Sequence, residues 1–200
     1  MALVPQPVGR RERNKQQKLD RITAAASELF AEYGVDEVTT QQIAEKADVG
    51  TGTVFLYAKT KGELLLLVQN ANYSDALERG RSDAEHIPDV LDAVMTIIEP
   101  IVRCNRTQID NGRTYLREMV FGNPEEPHHA EALTIVGRTE EAIAAVLSRS
   151  ERIGQVDAAM LAHVVSAIMF LAMAATINSA RSVDEIVEDI KGQVSVLLPQ

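Results

Sequence analysis

Apolar residues recur along this chain at steps of three and four, the period of helices with one buried face. Leu19, Ile22, Ala26, Leu29, Phe30 and Tyr33 form one such stripe. It predicts a helix over 15–33, stopped by Gly34, where a left-handed residue is usual. Thr39-x-x-Gln42 is a capping box: the hydroxyl takes a free amide while Gln42 reaches back. It opens a short helix over 40–47 with Ile43, Ala44 and Ala47 inward. Asp48 tolerates a left-handed backbone, and Val49 is apolar in the turn. A second short helix is expected over 51–57 with Val54 inward. Thr60-x-x-Glu63 reads as another capping box, ahead of a longer helix whose apolar start is 64–68.

Further along, Pro88 suits the first turn of a helix carrying Val90, Leu91, Val94, Ile97, Ile98, Ile101 and Val102. Pro100 lies inside it and predicts a kink or break. Asn111-Gly112 reads as a turn, then a short helix through Tyr115, Leu116, Met119 and Val120. Gly122-Asn123-Pro124 breaks the chain again. Helices follow over 128–149 and 157–179, and Ser182-x-x-Glu185 caps the last. No period-two strand and no internal repeat appears, so the fold class is all-α, with about nine helices.

The run 158–177 is nearly all apolar and meets the length of a membrane span. Its flanks lack a Lys/Arg cluster and an aromatic belt, which favours a core helix. The last helix carries Val183, Ile186, Val187, Ile190, Val194, Leu197 and Leu198 on one stripe. These two helices read as a pair that meets its twin in a four-helix dimer. The interface is expected at Val165, Met169, Ile186, Ile190, Val194 and Leu197; the alternative is that both helices close the monomer core.

Composition changes this picture little: 46% of the 200 residues are apolar and 24% charged, ordinary for a globular chain. The single cysteine, Cys104, excludes an internal disulfide and a thiolate zinc site, and fits a reducing compartment. Residues 1–13 hold no apolar run long enough for a signal peptide. A cytoplasmic location is expected. Charge is more informative. The net charge of −9 argues against a nucleic-acid binder as a whole. Yet residues 1–62 hold nine basic against eight acidic residues, and 63–200 hold 11 against 21. A basic start on an acidic body hints at a polyanion-facing end.

Helix, tight turn and second helix within about 18 residues is helix-turn-helix geometry. The second helix of such a motif lies in the major groove. Its outward residues here are expected to be Thr51, Gly52, Thr53, Phe55 and Tyr57. Hydroxyls bond phosphates or bases, Phe55 can meet a thymine methyl, and Gly52 lets the backbone approach. Lys61 sits in the first turn of the next helix, where a phosphate oxygen is already favoured.

The stretch 22–67 resembles the DNA-binding domain of the TetR family of bacterial regulators. The likeness is carried by Ala25-Ala26, Leu29-Phe30, Gly34, Thr39-Thr40, Ile43-Ala44, Val49, the run Gly52-Thr53-Val54-Phe55, Tyr57, Lys61 and Glu63-Leu64. It covers about a third of the chain. It implies a basic arm over 1–14 with Arg11 and Arg13, a DNA-binding domain over 15–62, and a helical ligand-binding and dimerising body over 63–200. It also implies DNA contacts from Thr40 and Gln41, from the outward recognition residues, and from Lys61. Gly50 stands where members often have Ser, which removes a side-chain cap, and Ala58 stands where many have an aromatic.

The resemblance implies a homodimeric regulator, a repressor in the usual arrangement, on a palindromic double-stranded operator. A small, largely apolar effector would release it. Two readers about 34 Å apart meet successive turns of one DNA face. Candidate effector contacts are Met95, Tyr115, Met119, Phe121, His163, Met169, Phe170 and Met173, because methionine adapts to varied ligands. His163 alone on an apolar face reads equally as a satisfied core histidine. His128-His129 beside Glu125 and Glu126 reads as a solvated loop rather than a metal site. No phosphate loop and no G-x-S-x-G motif appears. No catalytic residue, cofactor, metal or membrane partner is assigned. A protein-binding helical adaptor is the alternative function.

Overall fold

A computed structural model describes residues 9–199 of the chain. Among the described residues it is helical throughout. The order is α1 (Arg10–Tyr33), α2 (Thr40–Lys46), α3 (Thr51–Val54), α4 (Lys61–Ala84), α5 (Val90–Arg106), α6 (Ile109–Phe121), α7 (Pro127–Leu147), α8 (Gln155–Ala174), a 3-10 turn (Thr176–Asn178) and α9 (Val183–Leu197).

Local chemistry fixes most boundaries. Gly34 ends α1 at φ 81 and ψ 152, a conformation closed to residues with a Cβ. Both halves of the Thr39–Gln42 and Ser182–Glu185 capping boxes form. At Thr60 only half forms: its hydroxyl accepts from the Glu63 amide. The Glu63 carboxylate is buried and instead accepts from the His128 amide of α7, 2.8 Å away.

Four expectations need correction. Helix α1 starts at Arg10, so 10–14 is helix rather than a flexible arm; residues 1–8 of that arm lie outside the described residues. The second motif helix is a single turn, α3, continued by 3-10-like bonds from Leu56 to Thr53 and Tyr57 to Val54. Asn111-Gly112 is not a turn but the first turn of α6. Gln108 caps that helix through the Asn111 amide, and Gly112 admits the Asn105 carbonyl, which a Cβ would meet at 2.1 Å.

The fourth correction concerns α5, which runs unbroken through Pro100. Proline has no N–H, so the Thr96 carbonyl loses its partner in the helical ladder. Gly80 of α4 faces that point. A Cβ at Gly80 would stand 2.8 Å from both the Thr96 oxygen and the Ile97 Cα. Two helices thus meet backbone to backbone where one of them lacks a bond.

Helix α4 is the spine. At its start, α1, α2 and α3 pack a small core of Ile22, Ala26, Phe30, Ile43, Ala44, Val54, Leu64 and Leu65, all buried. Beyond it, α5 to α9 form the body around Leu77, Val94, Ile98, Ile143 and Leu147. The expected dimer residues belong to this body core. Val165 and Met169 of α8 and Ile186, Ile190 and Val194 of α9 are buried within one chain, and Leu197 is partly so. The five buried residues close the monomer core, and Leu197 packs at its edge. Helix α8 instead turns an opposite apolar face outward: Val156, Met160, Val164 and Leu171 are exposed. It is long and apolar enough to cross a membrane, yet its other face is packed into this core.

One side chain ties the two parts. Asn111 of α6 is buried; its amide nitrogen donates to the Phe30 carbonyl at 2.8 Å and its oxygen accepts from the Val35 amide at 2.7 Å. Both partners sit at the end of α1: the Phe30 carbonyl also accepts from the Gly34 amide at 3.0 Å, and the Val35 amide lies beyond the helical ladder.

Gly80→Ala should gain helix propensity of about 1 kcal/mol but force α4 from α5 at a cost of roughly 1–3 kcal/mol. We expect a melting temperature lower by a few degrees in a thermal scan; an unchanged or higher value would mean that the close approach is not required.

Candidate nucleic-acid interface and body cavity

Packing aims the short motif helices. Ala44 is buried where α3 crosses α2, and Asp48 takes φ 50 in the turn between them. Gly50 caps α3 in an extended conformation without a side-chain bond, as expected from the absent Ser. Val54 and Ala58 point into the reader core.

The outward surface then follows. Thr51, Gly52 and Phe55 are exposed, while Thr53 and Tyr57 are partly buried. Leu56 is the most exposed apolar residue of the turn, at 82%. Sequence reasoning passed over it because it lacks a polar group. Its signal was an apolar residue beside Val54 that no packing position needs. Gln41 is exposed and bonded to Glu45, and Thr40 is half-buried at the start of α2.

Two expected phosphate contacts have internal partners. The Tyr57 hydroxyl donates to the Lys15 carbonyl at 3.0 Å, and Lys61 Nζ donates to the Asp36 carbonyl at 3.0 Å. Each therefore fixes the reader's frame: Tyr57 holds α3 to α1, and Lys61 holds α4 to the α1–α2 connection. A groove of about 740 Å³ separates the first turns of α1 from the recognition turn. Arg10, Arg11, Lys15 and Lys18 line one side; Thr53, Leu56 and Tyr57 line the other. Arg13 is exposed but is not on this groove. Glu12 also lines the groove and pairs with Lys15 at 3.9 Å, and elsewhere on the reader Arg21 pairs with Asp48 at 3.3 Å and Lys46 with Glu28 at 2.9 Å.

In the body, α4 to α8 enclose an apolar cavity of about 260 Å³. Tyr115, Met119, His163, Met169, Phe170 and Met173 line it, as expected. Met95 is buried in the core and is not on the wall, and Phe121 is 81% exposed at the end of α6. His163 is not a core histidine: it stands exposed at the rim, 3.0 Å from Glu140. The residues missed are Tyr73, Ile135, Val136, Thr139 and Ser166, among others. On α7 the available signal was Ala132, Ile135, Val136 and Thr139, recurring at steps of three and four. A wider, polar cleft of about 770 Å³ lies between α1, α4 and α5, walled by Asp75, Arg79, Glu99 and Arg103 among others. The apolar cavity is better suited to a small organic ligand.

Polar groups close the cavity floor. The Tyr73 and Tyr115 rings stack at 4.3 Å. Tyr115 donates to Asn70 Oδ1 at 2.9 Å, and Asn105 donates to the Tyr73 hydroxyl at 2.7 Å. Burial pushes both phenols above their ordinary range, most of all through desolvation. Burial likewise pushes the Cys104 thiol up to about 11, which keeps it protonated and inert.

The pair His128-His129 is not a solvated loop. It lies in the first turn of α7, with His128 half-buried and His129 buried. His128 Nε2 stands 3.0 Å from the Tyr57 carbonyl, at the end of the recognition turn. Neither ring nitrogen of His129 has a hydrogen-bond partner among the described residues. Lys59 adds an ion pair to Glu126 at 2.6 Å, again joining the reader to the start of α7.

The raised phenols set a pH dependence. The folded chain holds Tyr73 and Tyr115 protons that the unfolded chain releases near the ordinary value of 10.0. Stability is therefore full below that pH and falls as pH rises through it. Urea midpoints measured across this range should drop on the alkaline side, and Tyr115→Phe should flatten the drop. A wild-type midpoint level beyond pH 10 would contradict the assignment.

Comparison with known proteins agrees with this geometry. Residues 22–68 match the family model of bacterial regulatory proteins, tetR family. The fatty acid metabolism regulator protein of Bacillus subtilis (strain 168) is 32% identical over 71 residues. That match spans 36% of this chain and 37% of the relative. Among solved structures, the FadR repressor of Thermus thermophilus in complex with lauroyl-CoA superposes with a TM-score of 0.71 at 20% identity, over 91% of this chain and 96% of that one. A TetR transcriptional regulator from Rhodococcus sp. RHA1 gives 0.71 at 17% identity, over 92% and 97%. These two likenesses share the fold.

Proposed function

We propose that this chain, whose residues 22–68 match the family model of bacterial regulatory proteins, tetR family, is a dimeric, DNA-binding transcriptional repressor released by a small apolar effector. The observation that carries this reading is the groove shared by α1 and the recognition turn. Four cationic side chains face Thr53, Leu56 and Tyr57 across it. Arg10, Arg11 and Lys18 have no ion-pair partner among the described residues, so their charge is free for phosphates. Phosphate contacts of this kind position a reader, and the exposed turn 51–56 supplies contacts to base edges. Thr40 and Gln41 flank the turn on α2. Residues 10–60 form the reader and 61–199 the body.

One short turn reads few base pairs, so the proposal includes a twin. The exposed apolar face of α8 supports it: Val156, Met160, Val164 and Leu171 recur along one side, with Val196 of α9 also exposed. Two such faces bury each other in a symmetric four-helix interface. The body's acidic excess keeps DNA to the reader side by repulsion.

The effector reading rests on the cavity under α6. Glu140 and His163 on its lining are already paired with each other, and the Tyr73 and Tyr115 phenols are held by Asn105 and Asn70. It therefore takes the aliphatic part of a ligand. The complex of the similar Thermus thermophilus repressor with lauroyl-CoA supports an acyl thioester. In that case the acyl end occupies the cavity and the phosphates lie outside it.

Selection from a random duplex library tests the function directly. A palindrome should emerge, with half-site centres about one helical turn apart. Met160→Asp should give a monomer by native mass and lose more than about tenfold in operator affinity, because one reader then binds alone. Recovery of unrelated duplexes with no common sequence would remove the specific-regulator reading.

A further inference from the structure

Between the cavity and the recognition turn runs an unbroken line of hydrogen bonds. Tyr115, on the cavity wall, donates its hydroxyl to Asn70 Oδ1 at 2.9 Å. Asn70 Nδ2 donates to the His128 carbonyl at 2.9 Å and to Glu131 Oε2 at 2.9 Å. The His128 ring reaches the Tyr57 carbonyl at 3.0 Å. A carbonyl only accepts, so Nε2 carries the proton and donates. The His128 backbone amide is in turn held by Glu63 at 2.8 Å. The line crosses α6, α4, α7 and the end of the recognition turn.

Asn70 is the constrained member. It is 1% exposed, and its oxygen and nitrogen are both bonded. A buried amide in this state has one favourable orientation, because a flip would set its oxygen against the His128 carbonyl and the Glu131 carboxylate, acceptor against acceptor. Thr139 provides the contrast. It lines the same cavity and is buried, yet its hydroxyl bonds only the Ile135 carbonyl of its own helix.

We propose that cavity occupancy is transmitted to the recognition turn through the relay Tyr115–Asn70–His128–Tyr57, with Asn70 as the positioning residue that couples them. This rests on the reading of the cavity as the effector site, and it deepens that reading by naming the route. An occupant that takes the Tyr115 hydroxyl or turns its ring leaves Asn70 Oδ1 buried without a donor. The amide then reorients, the His128 carbonyl loses its bond, and the hold on the end of the recognition turn loosens.

Hydrogen exchange on the full-length protein, without DNA or ligand, tests the relay itself. Tyr115→Phe keeps the stacked ring and removes only the hydroxyl. Amides 56–60 should then exchange about fivefold faster, the effect of one lost net hydrogen bond. Thr139→Val, which removes a hydroxyl from the same wall, should leave them within about twofold. Asn70→Asp keeps an acceptor for Tyr115 and loses the donor to His128. It should loosen 56–60 as well, and it carries the test should Tyr115→Phe fail to fold. Unchanged exchange at 56–60, or an equal rise in Thr139→Val, overturns the relay. A wild-type protein that selects no operator would strike the regulator reading while leaving the exchange result to stand.

Discussion

A buried amide cannot be left unbonded without losing on the order of 1–3 kcal/mol for each stranded group. Asn111 places such an amide at the joint between reader and body, and both of its bonds cross that joint. Parting the two would break both Asn111 bonds and take the partner from the Val35 amide, while the Phe30 carbonyl would keep only its bond from the Gly34 amide at 3.0 Å. The reader is therefore held by the body in one orientation, and its surface is defined relative to the rest of the chain.

A second hold lies at the far end of the same helix. Helix α6 begins with Asn111 against α1, lines the cavity with Tyr115, Leu116 and Met119, and leads to the α7 start that grips Tyr57 and Lys59. The cavity thus sits beneath a helix whose start touches the reader and whose end leads into the α7 start that holds it. The backbone contact of Gly80 with α5 has the same character. In each case a close approach or a bonded amide replaces adaptable side-chain packing, so small displacements pass between elements. The acidic body and the cationic groove carry opposite charge excess, which under the proposed function would repel a duplex from one and draw it to the other.

Much of this was legible in the sequence. The capping boxes at Thr39 and Ser182, the stop at Gly34 and the left-handed Asp48 are local chemistry, and local chemistry is visible residue by residue. The motif 39–61 carried the family resemblance for the same reason. Long-range competition was not legible. Glu63 looked like a capping residue, but α7 offers it the His128 amide. Asn111-Gly112 looked like a turn, but Asn111 is needed by α1 and Gly112 by the Asn105 carbonyl. The stripes of α8 and α9 were read as a dimer seam because period reveals a buried face and not what buries it. Tyr57 and Lys61 were read as DNA contacts, and their polar ends face the protein's own carbonyls.

The central claim is that the cavity and the paired readers move as one. Spin labels at Thr51→Cys, in a Cys104→Ser background, report the distance between the two recognition turns of a dimer. With operator bound, the distribution should centre on the order of 34 Å, one turn of duplex. Saturating lauroyl-CoA, bound as judged by calorimetry, should lengthen and broaden it. An identical distribution with the probe bound would contradict the account.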